Sequence, residues 1–420
     1  KELVEAMYPM AASVSSQVDK ELTVFTGTTH IDNLDAFYSL LAEMLLEPGF
    51  RPDDLERLRS NQINYLRTSL RGNNDEELGK EVLYEQIYAG HPYGHVNQGK
   101  VSHLQSVTMD DLRKHYAAVL TRSNLIIGVA GGYPDGFMAR IQKDFSKLPE
   151  GKEQTAALPA PKPLKGLTMT LVEKATRSVA FSLGHPISVK RGDPDFAALL
   201  VAQSHLGQHR SGGRLFERIR QSRGINYGDY AYIEYFPGGM FAFEPPPNLT
   251  RQQQIFQIWI RPVEPPTAHF SLRLAMFELD NFVKQGLTQA DFDRARNFLS
   301  KNVNLLLKTK SAELGYLIDS KYYRIPEYDK YLKGALAKLT LDDVNKAIKK
   351  HLSAENLHIV VIGQGMDNFK EQILKGEPSP MTYNAPKPED IVKEDKIVAN
   401  WKIPVSSESI KIVPANTVFE

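Results

Sequence analysis

The chain has 420 residues, 42% of them hydrophobic, enough to bury two substantial cores. Its formal net charge of +1 argues against nucleic acid or an anionic membrane as the main partner, since either needs a clustered basic surface. There is no cysteine, which removes disulfides and thiolate metal sites, and no apolar run approaches the roughly 18–20 residues of a membrane span.

Residues 2–8 read as the end of a helix, and 11–29 (AASVSSQVDKELTVFTGTT) alternate as strands do. Leu34, Phe37, Leu40, Leu41, Met44 and Leu45 recur at helical spacing, with Asp32 or Asn33 as the N-cap. Further helices are expected at 52–70, 75–88 and 109–118. LIIGVA at 125–130 reads as a strand. Residues 150–166 (EGKEQTAALPAPKPLKG) are Pro-rich, polar and aperiodic, and so read as a linker. AALLVA (197–202) is a core helix, KNVNLLLKTK (301–310) an amphipathic helix end, and EPPPN (244–248) and VEPP (263–266) are loops. LHIVVIG at 357–363 is a second strand preceded by a helix, and 376–420 is a Pro- and Lys-containing tail expected to run extended along the surface.

The chain repeats itself. Residues 107–131 and 339–365 share five identities at one offset: Thr108 with Thr340, Asp110 with Asp342, Asp111 with Asp343, Asn124 with Asn356 and Leu125 with Leu357. In both copies Thr precedes Asp by three positions, the mark of a capping box opening a helix. EPGFRPDDLERLR from Glu47 and KQGLTQADFDRAR from Lys284 agree less tightly. One long unit present twice means two copies of one domain. The second copy carries roughly fifty residues ahead of the stretch that matches Lys1, so the first is expected to be N-terminally truncated. The fold class is therefore α+β: two homologous domains of mixed sheet packed with helices. The expected division is 1–149, linker 150–166, 167–375, and C-terminal tail 376–420.

The stretch KELVEAMYPMAASVSSQVDKELTVFTG, then LLAEMLLEPGF, DDLERLR and GHPYGH, resembles the insulinase/pitrilysin-type metallopeptidases, and so do SGGRLFERIRQSRGINYGDYAY and QGLTQADFDRAR. The resemblance implies paired α+β domains facing each other across a chamber that holds and cleaves a peptide. It also implies an inverted H-x-x-E-H zinc motif, with a further glutamate on a later helix. The sequence departs from that pattern twice. No H-x-x-E-H occurs in it, and by family order the motif would lie shortly before Lys1. The later glutamate should fall near Tyr65, where Tyr65, Leu66 and Arg67 stand instead. Glu76 and Glu77 are weak candidate ligands, more simply read with Asp75 as acids in a helix's first turn.

One family element matches. An arginine and, seven positions on, a tyrosine of the second domain grip the substrate backbone; here these are Arg220 and Tyr227 in RIRQSRGINY. Guanidinium and phenol both donate hydrogen bonds to a peptide carbonyl and its developing oxyanion. The plainer reading makes Arg220 one of several surface arginines on a helix and Tyr227 a strand aromatic. Ser211-Gly212-Gly213 would form a tight connection into that helix. His91 and His95 sit in a Gly- and Pro-bearing loop, a structural turn by default, and His205 and His209 are separated by Gly207, which weakens a helix. His30 is assigned no role.

These readings combine into an insulinase-like chain that binds peptides between paired domains and has no catalytic residue of its own. It supplies the Arg220/Tyr227 grip. It binds no cofactor itself; zinc enters only if a missing segment or a partner supplies the ligands. The alternative is a zinc metalloendopeptidase whose H-x-x-E-H segment lies upstream of Lys1. Expected partners are a peptide substrate and a second chain, in a homo- or hetero-oligomer with a related zinc-bearing chain, such as a dimer. The compartment is not legible in the residues; the resemblance implies the periplasm or another exported location.

Overall fold

A computed structural model describes residues 2–152, 158–209, 212–236 and 244–420. The first half runs α1 (Glu2–Met7), β1 (Ser13–Val18), β2 (Thr23–Thr28), α2 (Leu34–Leu46), α3 (Pro52–Asn64), α4 (Arg71–Asn73), α5 (Asp75–Ile87), α6 (Val101–Ser106), α7 (Met109–Val119) and α8 (Phe137–Phe145). The second half runs β3 (Thr168–Glu173), β4 (Val179–Ile187), α9 (Phe196–Gln203), β5 (Asp229–Tyr232), β6 (Gln254–Val263), α10 (Ala268–Gln285), α11 (Gln289–Leu306), α12 (Lys310–Tyr323), α13 (Tyr328–Lys338), α14 (Leu341–His351), β7 (His358–Gly363), α15 (Met366–Lys375), α16 (Glu389–Ala399) and β8 (Ile410–Pro414).

The duplication is visible in this order. Two strands, five helices, an extended segment and a helix recur: β1, β2, α2, α3, α5, α6, α7, residues 125–130 and α8 match β5, β6, α10 to α14, β7 and α15. Both expected capping boxes form, with Thr108 bonded to Asp111 at the start of α7 and Thr340 to Asp343 at the start of α14.

The second half holds a mixed six-stranded sheet, order β5-β6-β4-β7-β3-β8, with β3 parallel to β7 and to β8 and the other pairs antiparallel. β7 is central, every residue of it buried. Residues 125–130 differ: they form no strand, and Ile126 and Ile127 are exposed. The reason is pairing. β7 is held between β3 and β4, and the described residues of the first half hold no counterpart of those two strands. Extended backbone without a ladder partner is not a strand. Among the described residues β1 and β2 pair only with each other, and they are mostly exposed.

The expectation for 376–420 also changes. That stretch folds as α16 and as β8, an edge strand beside β3. Alternation explains it, since Ile410 is buried while Lys411 is exposed. Beyond β8, Val418 and Phe419 are buried in the first half, where the Phe419 carbonyl accepts from Val101 N at 3.0 Å. The expected linker falls partly outside the described residues, at 153–157; its described parts carry no helix or strand.

Each half lends a helix to the other. α5 crosses the second half's sheet, and a Cβ on Gly79 would lie 3.2 Å from Ser182 Oγ and 3.6 Å from Ile362 Cδ1. Its counterpart α12 does the reverse: Leu314 and Ile318 approach the Gly128 Cβ position at 2.7 and 3.1 Å. The halves are also pinned by a buried ion pair. Arg251 Nε donates to Asp19 Oδ2 at 2.6 Å, its guanidinium lying 3.7 Å from the Tyr235 ring centre and 4.8 Å from that of Tyr84.

Candidate functional site

Arg220 and Tyr227 come together. Arg220 lies on a helical stretch, 214–221, that widens to π geometry from Phe216. Gly212, at φ 79°, and Gly213 lead into it, while Ser211 lies outside the described residues. Tyr227 stands in the loop before β5, 58% exposed, with the Arg220 guanidinium 5.6 Å from its ring centre.

The neighbouring arginines separate the two readings of Arg220. Arg214 pairs with Glu278 at 2.6 Å, Arg218 with Glu278 at 3.1 Å and with Glu394, and Arg223 with Asp395 at 2.8 Å. These three tie the helix to α10 and α16. Arg220 has no carboxylate partner among the described residues, and it is half-buried beside an exposed phenol. It is not a packing arginine like its neighbours.

The facing wall is the first turn of α5, whose N-cap Asn74 accepts from Glu77 N at 3.1 Å. All three acids of that turn are occupied. Asp75 accepts from Thr176 Oγ1 at 2.9 Å and pairs with Lys174, Glu76 pairs with Arg261 at 3.0 Å, and Glu77 pairs with Lys80 at 2.8 Å. Arg261 sits on β6, its guanidinium 5.8 Å from the Tyr227 ring centre. Lys80, nearly buried, lies 3.6 Å from the Trp259 ring. Tyr65 is 39% exposed; burial, then the charges of Glu77 and Glu81, push its phenol up. Burial likewise raises Glu81, which accepts from Tyr235 OH at 3.1 Å.

These residues do not fit a zinc ion. Tyr65 is a phenol where the resemblance implies a carboxylate, the acids of α5 are neutralised by Lys and Arg, and no group of three or more His, Cys, Asp or Glu converges among the described residues. The histidines have structural roles. His91 accepts from Tyr93 N at 3.0 Å through Nδ1 and bonds the Pro159 carbonyl at 2.9 Å through Nε2. His95 Nδ1 bonds the Pro92 carbonyl at 2.8 Å. His205 faces Asp291 at 3.7 Å, whereas His209 bonds Ser204 Oγ at 2.8 Å, so the two do not converge. Gly207 does not end the helix; residues 204–208 form a π turn, and a Cβ there would meet Ala231 N at 2.8 Å. His30, given no role from sequence, caps the turn at 31–33 by accepting from Asp32 N at 3.3 Å.

Sequence reasoning missed Arg261. IWIRPV reads as a buried strand, and the one signal was a charge inside an apolar run, just ahead of a proline.

The chain is similar to several known proteins. Residues 106–299 match the family described as peptidase M16 inactive domain. A Helicobacter pylori protein named non-peptidase homolog YmxG is 24% identical over 78% of this chain and 72% of its own length. An uncharacterized zinc protease YmxG of Bacillus subtilis is 24% identical over 61% of each chain. The crystal structure of a peptidase M16 inactive domain from Pseudomonas fluorescens superimposes with a TM-score of 0.75 at 22% identity, over 86% of this chain and 83% of that one. The two-domain mixed-sheet fold is shared with that structure, and the chain is similar to insulinase-like M16 peptidases, with no H-x-x-E-H in its 420 residues.

Proposed function

We propose that this chain holds peptides in the cleft between its halves through Arg220 and Tyr227 and does not itself hydrolyse them. The carrying observation is Arg220, a half-buried guanidinium set against an exposed phenol while Arg214, Arg218 and Arg223 are consumed by packing. Both groups donate hydrogen bonds and neither activates water, so they bind a peptide carbonyl and its oxyanion without supplying a nucleophile. Zinc chemistry on such a peptide would come from a related zinc-bearing partner chain.

The test is a peptidase assay on the chain alone, a zinc-bearing relative alone, and the two together. The chain alone is inactive. In the pair, Arg220→Ala or Tyr227→Phe lowers turnover by about a hundredfold, the usual scale for losing one oxyanion donor. Hydrolysis by the chain alone would sink the non-catalytic reading, and an unchanged rate in the paired double variant would remove Arg220 and Tyr227 from the site.

A further inference from the structure

The Tyr227 ring is flanked by a second cation that the family pattern does not supply. Arg261 comes from β6, and its side chain keeps 23% of its surface exposed. Its Nε is taken by Glu76 Oε1 at 3.0 Å, but its two terminal NH2 groups meet no acceptor among the described residues. Arg220 likewise meets no carboxylate among them. A guanidinium presents its donors as a fork matched to a carboxylate, and an unfilled fork beside an exposed aromatic is a recognition surface. The nearby charges reinforce this. Glu77 is neutralised by Lys80, and of the two arginines only Arg261 carries a carboxylate partner, Glu76. Beside it, a polar cavity of about 380 Å³, whose lining includes Asn74, the paired Asp75 and Lys174, Glu76, Thr176 and Pro262, gives room for a side chain or chain end.

We infer that Arg220 and Arg261, both set against Tyr227, form a carboxylate-selective subsite, so that the peptides held here carry a carboxylate at the grip. This rests on the peptide-holding reading and adds the substrate class. The carboxylate is either a peptide's C-terminal group or an Asp or Glu side chain. Glu76 is the intramolecular competitor that tempers the site when it is empty.

The experiment is fluorescence anisotropy with one labelled model peptide in three forms: acid-free with an amidated C-terminus, the same with a free C-terminus, and amidated with one internal Glu. One or both carboxylate forms bind about tenfold tighter than the neutral form, the scale of a charge-assisted hydrogen bond. The form that gains identifies the source. Arg261→Gln erases the preference while leaving neutral-peptide binding in place. Glu76→Gln moves oppositely and tightens the carboxylate form alone. Because Arg261→Gln strands Glu76, the Glu76→Gln/Arg261→Gln pair, which keeps a neutral hydrogen-bonding couple, is measured with it, and thermal melts check folding. Equal binding of all three forms, with loss of binding in Arg220→Gln, would overturn the carboxylate subsite and leave the peptide grip standing. A preference that survives in both Arg261 variants would also overturn it. Failure of the folded chain to bind any form would overturn both readings.

Discussion

Removing Asp19 should separate the halves energetically. Asp19 lies in the turn between β1 and β2, with its side chain 1% exposed, and its partner Arg251 is fully buried in the other half. The carboxylate accepts Arg251 Nε at 2.6 Å and Asn97 Nδ2 at 2.8 Å, and Arg251 Nη2, on the same edge of the guanidinium as Nε, donates to its other oxygen. Burial alone would raise this acid, but the hydrogen bond and charge of Arg251 outweigh it and hold the pKa below 3.8. A depressed acid stabilises the fold above its unfolded pKa and loses that contribution only as pH falls through the folded value, so the pair acts in full at neutral pH. In Asp19→Ala the guanidinium stays buried among Tyr84, Tyr93 and Tyr235 without its anion. Stranding a buried charge this way costs about 3–5 kcal/mol, out of a typical total of roughly 5–15 kcal/mol. The double change Asp19→Leu/Arg251→Met removes both charges and recovers most of the loss, since an apolar replacement of a buried pair is often neutral. Urea unfolding supplies the cycle. Hydrogen exchange localises it, because a chain of two domains need not unfold in one step; protection should fall at 13–28 and 254–263 together. A loss below about 1 kcal/mol, the worth of a surface pair, would refute the argument.

Glu244 is pushed up to about 8, by burial first and then by Glu234, and one of its oxygens has no partner among the described residues. A raised acid favours the fold below its unfolded pKa and loses that advantage as pH rises toward the folded one, so Glu244→Gln should raise the urea midpoint at pH 8 and leave it nearly unchanged near pH 4. After dialysis the chain should retain far less than one zinc per molecule by elemental analysis; a full equivalent would show that ligands were misread, with His91, His95 and Glu77 the first to replace. The first half exposes Val18, Phe25, Ile126 and Ile127, and 125–130 has no ladder partner among the described residues, so the isolated chain should self-associate by light scattering, and Ile126→Lys should reduce it. Monodisperse behaviour at micromolar concentration would count against that.

What the sequence disclosed was local. Thr108 with Asp111 and Thr340 with Asp343 are contacts three residues apart, and the helices they open stand where the pattern put them. LIIGVA looked like LHIVVIG, yet only the latter is a strand, because a strand is made by its neighbours and 125–130 has none among the described residues. Arg220 and Tyr227 were legible through family resemblance, but the reason to single out Arg220 was not. It requires knowing that Glu278, Glu394 and Asp395, distant in sequence, occupy the other three arginines.

The duplication itself separates scaffold from site. Glu77, Leu78 and Gly79 of α5 recur as Glu313, Leu314 and Gly315 of α12, and both glycines lie at close helix contacts. The positions on either side do not recur: Glu76 corresponds to Ala312, and Lys80 to Tyr316. Those are the two α5 residues that reach Arg261 and Trp259. Gly79 and Leu314 are the shared positions seen at contacts with the other half, whereas the charges that shape the Arg220, Tyr227 and Arg261 surface exist in one copy alone. A chain whose two halves did the same work would have no reason to keep that difference. The asymmetry at Glu76 and Lys80 lies in the first turn of α5, beside Arg261 of the second half, where the proposed carboxylate subsite sits.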